Sequence, residues 1–298
     1  MLHDAPARQS EVSPGTGNPT RSLAIISAAV LLACATWFSG TAATFQLTRL
    51  WELTPGESAW LTISVQLGFI VGTFLYALFN LSDVFNARRV FFVSALLGAL
   101  FNAAFAFLAQ GLALAILFRA LTGVTLAGVY PVGMKLVASW FSTGLGSQLG
   151  IMVGALTMGT ALPYLIQAGG AQFDWRNLVG VASLLALMGG VLVLTLLPDG
   201  PYLKGRAHFD ARMLWRVFRH QQFRHAAFGY FGHMWELYAF WSMVSFFLAA
   251  RLEGAALSWQ GWLPLLSFAT IGVGSLGCAL GGMCSKRIGE KTVASTSL

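Results

Sequence analysis

Charge is scarce in this chain. Asp, Glu, Lys and Arg make up 10% of its 298 residues, against about 25% in a soluble domain. So few charges cannot cover a water-facing surface. Length alone would suggest about two soluble domains, but the composition overrides that and points to a membrane protein. Cysteine is also rare. Cys34, Cys278 and Cys284 have neither metal-ligand nor disulfide spacing and read as small core residues. The five histidines are His3, His208, His220, His225 and His233. No two of them form a metal-ligand motif within an apolar run, so no metal and no cofactor is expected. A Gly-rich phosphate loop is missing, which argues against an ATP-driven pump. No nucleophile with a nearby base and no paired acids appear within a run, so no catalytic residues are assigned and an enzyme is not expected. The net charge of +7 could suggest nucleic acid. The positive residues lie between apolar runs without a basic face of their own, so nucleic acid is excluded as a partner.

What the chain has is long apolar runs. A membrane-spanning helix needs about 20 apolar residues. Eight runs qualify: 23–47, 59–81, 90–108, 112–134, 146–168, 177–197, 226–250 and 262–284. Residues 90 to 118 carry no charge at all, and Gln110-Gly111 supplies the turn that divides them into two spans. The first run is too long for a signal peptide, and further spans follow it. Residues 1–20, rich in Pro, Gly, Ser and Thr, read as a disordered tail. The domain reading is that tail, a six-helix bundle over 21–197, a cytoplasmic linker over 198–225, and a partial two-helix bundle over 226–298. In the linker, Arg212, Arg216 and Arg219 recur at helical spacing, with Met213, Leu214, Val217 and Phe218 on another side. That pattern suits a basic amphipathic helix on the cytoplasmic leaflet.

Two short turns occupy equivalent places. "NLSDVFNARRVF" follows the second span and carries Asp83, Arg88 and Arg89. "GGMCSKRIGEK" follows the eighth and carries Gly282, Lys286, Arg287, Gly289, Glu290 and Lys291. The fourth span contains "RALTG", Arg119 to Gly123. With these motifs in order, the chain resembles the major facilitator superfamily over residues 22 to 294, and a bacterial branch of it in particular. That family repeats a Gly-x-x-x-Asp-Arg-x-Gly-Arg-Arg-like turn after its second and eighth helices and has an Arg-x-x-x-Gly motif in its fourth. Departures are visible. Phe79, Val84 and Asn86 replace the leading Gly, the Arg after Asp and the second Gly of the first copy. Lys286 and Glu290 invert the usual signs in the second copy. Gly150, Gly154, Gly159, Pro163 and Gly169-Gly170 in the fifth span are only loosely similar to the family's antiporter motif.

The resemblance implies an all-α polytopic membrane protein. It implies secondary transport of a small solute, with protons as the coupling partner and the lipid bilayer as surroundings. It also implies twelve helices as six plus six, whereas six plus two are read here. The expectation is therefore a product truncated after the eighth helix. The alternatives are a transport-incompetent or regulatory fragment, and a membrane scaffold without a solute site. The implied cytoplasmic gate comprises Asp83, Arg88, Arg89, Gly282, Arg287 and Gly289. Gly159, Pro163 and Pro131 are expected to bend helices.

Few ionisable residues fall deep within spans. Glu236 lies twelve residues beyond Arg224, or about 18 Å along a helix, where a charge costs at least about 2.5 kcal/mol. His233 shares its helix face, with Tyr230 at the edge. These three form the expected proton-coupling group. Arg119 lies seven residues after Leu112, about 10 Å into the membrane. Its expected partner is an anionic solute, backbone carbonyls or Glu236.

Orientation follows from the basic residues in the loops. With the N-terminus inside, fourteen lie inside: Arg8, Arg21, Arg88, Arg89, Lys135, Lys204, Arg206, Arg212, Arg216, Arg219, Arg224, Lys286, Arg287 and Lys291. Three lie outside, Arg49, Arg176 and Arg251. The expected location is the bacterial cytoplasmic (inner) membrane, multi-pass, with a cytoplasmic N-terminus. Reporter fusions test this: Gly56 and Ala171 should report periplasm and Gly205 cytoplasm. A periplasmic signal at Gly205 would overturn the span count.

Overall fold

The computed structural model describes residues 17–169, 174–202, 216–253 and 261–297. The described residues contain helices and no strands. The tail before residue 17 lies outside the described residues, as does the linker segment holding Arg212, Met213 and Leu214.

The first expected span is two helices, α1 (Pro19–Cys34) and α2 (Ser39–Leu50), broken at residues 35–38. The fourth is also two, α6 (Leu112–Leu126) and α7 (Tyr130–Ala138), with Pro131 in the first turn after the break. A proline fits there because its missing N–H is one that a first turn leaves unpaired anyway. Between these pairs lie α3 (Pro55–Leu78), the single turn α4 (Leu81–Val84) and α5 (Ala87–Leu108). Then come α8 (Leu145–Ala168), α9 (Trp175–Leu196), α10 (Gln221–Leu252), α11 (Leu263–Ile288) and α12 (Glu290–Ser297). Side chains set several starts. Asn18 accepts from the Thr20 and Arg21 amides at 2.9 and 3.4 Å. Thr54 and Glu57 cap α3 reciprocally, a capping box.

Seven stretches are long and apolar enough to cross a membrane, taking the two broken spans whole. The eight-run reading differs at α10, which has 32 residues but is not among the seven. The reason is its composition. His225, His233 and Glu236 are polar, and Tyr230, Trp235, Tyr238 and Trp241 have polar tips that lower its hydropathy.

The first six spans pack as a bundle. α1 lies against α8 and α9, α3 against α6, and α5 against α6 and α9. Ile26, Val30, Phe91, Met152 and Val179 are buried within it. Large apolar side chains such as Ile70, Phe74, Leu100, Phe107 and Leu184 are exposed on the outside. That is the outer surface a lipid-facing bundle presents, where a soluble protein would carry charge.

Two seams are closed by glycine. On α3 and α6, a Cβ at Gly68 would come 2.0 Å from the Ala120 carbonyl oxygen, and one at Gly123 would come 2.0 Å from that of Val65. On α8, Gly146, Gly150 and Gly154 form a stripe at four-residue spacing facing α11. A Cβ at Gly150 would come 2.9 Å from the Gly282 Cα, and one at Gly282 would come 3.0 Å from the Gly146 carbonyl oxygen. Lipid offers no hydrophobic drive for helices to associate, so close backbone approach supplies the contact.

Gly123→Ala should therefore reduce thermal stability in detergent, at an overpacking cost of about 1–3 kcal/mol. Gly229→Ala is the matched control, because no atom lies within 4 Å of the added carbon. Equal melting temperatures for the two variants would contradict the seam.

Candidate functional site

The break between α1 and α2 is built around Arg119. This side chain is 0% exposed. Its Nε donates to the Leu61 carbonyl at 3.3 Å. Its Nη1 donates to the Thr36 carbonyl at 2.8 Å, Asn102 Oδ1 at 3.1 Å and Ser39 Oγ at 3.3 Å. Its Nη2 donates to the Trp37 carbonyl. A helix break frees carbonyls that a continuous helix would consume, and a guanidinium has five donors in a planar fork to meet them. Gly40 makes room, since a Cβ there would lie 2.6 Å from Arg119 Nε. Asn102 extends the network to α9 through the Val179 carbonyl at 3.2 Å and Ser183 Oγ at 3.0 Å.

The same break presents two aromatic rings to α10. Trp37 stacks on Tyr238 with centroids 5.6 Å apart and also meets Phe69 of α3 at 4.7 Å. Phe38 meets Trp241 edge-on at 6.0 Å, and Trp241 meets Tyr238 at 5.7 Å. Gln66 Nε2 of α3 donates to Ser242 Oγ of α10 at 3.2 Å. Tyr130, at the break between α6 and α7, places its hydroxyl against that of Tyr230. A packed aromatic cluster thus joins the six-span bundle to α10. Trp37 is 1% exposed, and its indole N–H has no hydrogen-bond partner.

A family model described as the Major Facilitator Superfamily matches residues 25–298. The chain belongs to the Major Facilitator Superfamily. It is similar to the niacin transporter NiaP of Acinetobacter baylyi, with 31% identity over 176 residues. That alignment covers 55% of this chain and 37% of NiaP. It is also similar in fold to the proton:xylose symporter XylE, solved with 6-bromo-6-deoxy-D-glucose, at a TM-score of 0.50 and 13% identity. That match covers 92% of this chain and 56% of XylE.

The superfamily motifs can now be placed. The charges of the first turn pair within the six-span bundle. Lys135 of α7 binds Asp83 and the Ser82 carbonyl. Arg88 Nε lies 3.0 Å from Asp199, which also accepts from Asn86 Nδ2 at 3.0 Å. Arg88 donates to the Leu197 carbonyl as well. The Arg89 amide is capped by Asn86 at 3.4 Å. A cleft of about 200 Å³ opens beside this turn, lined by Thr73, Tyr76, Asn80, Ser82 and Pro131. In the second turn, Gly282 is part of the α8–α11 seam, Arg287 is exposed in the last turn of α11, and Gly289 ends it with φ of 85°. Lys286 reaches Gly144, just before α8. In the fifth span, Pro163 lies inside an unbroken α8, and Gly159 lets α8 touch the Leu31 carbonyl of α1.

Arg119 and Glu236 are not brought together. Arg119 is satisfied by neutral acceptors inside the bundle. Glu236 is exposed on α10, five residues from the packed Trp241, about 140° around the helix. His233 is exposed too, and no hydrogen bond joins it to Glu236. Of that expected group, only Tyr230 meets the six-span bundle in a polar contact, through Tyr130. Sequence reasoning missed Trp37, Phe38, Asn102 and Gln66. Asn102 did carry a signal, being the lone polar residue between Ser94 and Gln110.

Arg119→Lys should be strongly destabilising. Three ammonium donors replace five and cannot copy the planar fork, so buried oxygens lose donors at a cost of about 1–3 kcal/mol for each left unpaired. Differential scanning fluorimetry in detergent should show a large fall in melting temperature. Arg89→Lys, at an exposed site, should show none. A melting temperature unchanged in Arg119→Lys would mean the network does not hold the break.

Proposed function

We propose that this chain handles a small solute in proton-coupled secondary transport across the bacterial cytoplasmic membrane, with its N-terminus in the cytoplasm. Membership of the superfamily supports transport in general. The observation that carries the finer reading is the aromatic contact between the six-span bundle and α10, where Trp37 and Phe38 meet Tyr238 and Trp241. Carriers of this kind place the solute near the midplane between two helix groups that rock against each other. Here the α8–α11 seam is a smooth glycine contact that permits such rocking, and the ring contact lies where the groups would part. The likeness to a niacin transporter and to a proton:xylose symporter suggests a solute of that size.

Glu236 is the proposed proton-responsive group, with His233 one turn away. It is residue 16 of the 32 in α10, so neither end of the helix is within snorkelling reach. Protonation removes the cost of a carboxylate in hydrocarbon, and that links its charge to the face it presents. Asp83, Arg88 and Arg89, with Gly282, Arg287 and Gly289, are the proposed cytoplasmic gate. A second reading is that the chain folds without carrying solute. The exposure of Glu236 and of Trp235, at 80%, favours it.

Proteoliposomes holding the 298-residue chain separate the two. An inward pH gradient should drive accumulation of at least one labelled solute from a panel of nicotinate, benzoate and xylose. Glu236→Gln should abolish gradient-driven accumulation and retain solute exchange, because the amide keeps shape but cannot titrate. Full accumulation by Glu236→Gln would remove it from coupling. No uptake and no exchange of any solute would favour the second reading.

A further inference from the structure

We infer that the exposed flank of α10 pairs in the membrane with the same flank of a second copy of this chain, so that Glu236 of each copy meets His233 of the other. The inference holds whether or not the chain carries solute, and its experiment reads association alone.

The flank is a heptad seam. Its first core position repeats as Ala226, His233, Phe240 and Phe247. Its second, three residues on in each heptad, repeats as Gly229, Glu236, Met243 and Ala250. All of these residues are exposed. Beside them Trp241, Val244 and Ser245 are buried, so α10 shows one stripe to its own chain and another outward. A seven-residue repeat is the pattern that holds two helices together along their length. From Ala226 to Ala250 the seam covers about 36 Å of helix, enough to cross a hydrocarbon core of about 30 Å. What covers it is therefore itself a spanning helix.

Two observations say that lipid is not the cover. α10 is long enough to span, yet it is not among the seven stretches apolar enough to do so. Its shortfall includes His233 and Glu236, which occupy neighbouring core positions of the seam. Among the described residues, neither takes part in an ion pair or a hydrogen bond. A carboxylate left so in hydrocarbon is costly. Helices in lipid turn such side chains toward another helix.

Charge chooses the occupant. Copies inserted by the same route share one orientation, so their α10 helices run parallel about a two-fold axis along the membrane normal. In a parallel heptad pair, a side chain at the second core position fits between the first and second core positions of the facing helix. Glu236 then reaches His233 of the other copy, and symmetry repeats the contact. Each acid–base pair is neutral overall. An unrelated helix would need a basic group at this depth, whereas a second copy brings one in register. Close approach is available at Gly229, where an added carbon meets no atom within 4 Å. Trp235, 80% exposed, lies about 100° around the helix from Glu236, off the seam and free to face lipid.

Energy transfer between donor- and acceptor-labelled copies of the 298-residue chain, reconstituted together in liposomes at high lipid dilution, tests the unmutated protein. Transfer above that of a random mixture is expected, and transfer no higher than random overturns the inference. Disulfide trapping locates the contact. In a Cys284→Ala background, which removes the exposed native thiol, Met243→Cys and Ala250→Cys should give dimers on oxidation with copper phenanthroline, and Trp235→Cys should not. Equal trapping of Trp235→Cys and Met243→Cys overturns the seam. Exchanging the pair tests its chemistry. Glu236→His or His233→Glu alone should weaken association about tenfold, and the double exchange should restore it. Unchanged association in both single variants, or no recovery in a double variant that elutes as one folded species, overturns the pairing.

Discussion

A guanidinium held wholly inside a membrane bundle constrains everything near it. Arg119 has no carboxylate to neutralise it, so neutral oxygens must carry the whole cost of taking it out of water. Those oxygens come from the α1–α2 break, α3 and α5. Each segment is thereby fixed relative to the others. The break cannot straighten without stranding the charge, so Trp37 and Phe38 stay turned toward α10. The aromatic cluster is in this sense a by-product of how one cation is satisfied.

The two kinds of helix contact have different mechanical character. Glycine seams bring backbones together with little side chain to interlock, and they resist separation more than sliding. Ring contacts between the six-span bundle and α10 are bulky and few. The polar side-chain contacts described across that boundary include Gln66 to Ser242 and the Tyr130 and Tyr230 hydroxyls. A motion that parts α10 from the bundle at the rings breaks little backbone contact, while one that opens the α3–α6 seam would have to expose close-packed backbone.

Much of the architecture could be read from the residues. Apolar run lengths located the spans, Gln110-Gly111 marked the turn before α6, and the ordered motifs pointed to the superfamily. The broken spans were hidden, because residues 35–38 contain neither glycine nor proline and periodicity runs through them. Arg119 stood out by its rarity, but rarity says nothing about partners; carbonyls freed by an unforeseen break took the role considered for Glu236. Asp83 was legible as a charge in a turn. Its pairing with Lys135 was not, because sequence distance hides how α4 folds back beside α7. The spacing of His233 and Glu236 placed them one turn apart, and spacing alone does not make a bond. The aromatic cluster draws on residues some 200 positions apart, Trp37 to Trp241, which no local pattern joins.

The Arg119 network also has a direction in time. Thr36, Trp37, Ser39, Leu61 and Asn102 all precede Arg119 in the chain. A ribosome delivers them to the membrane first. When the fourth span emerges, every acceptor its cation needs has already been synthesised, so the costliest residue in the bundle need not wait in lipid for a later helix. The stripe of glycines on α8 has the opposite history: it must remain unmatched until its partners on α11, Ser275, Cys278 and Gly282, are made.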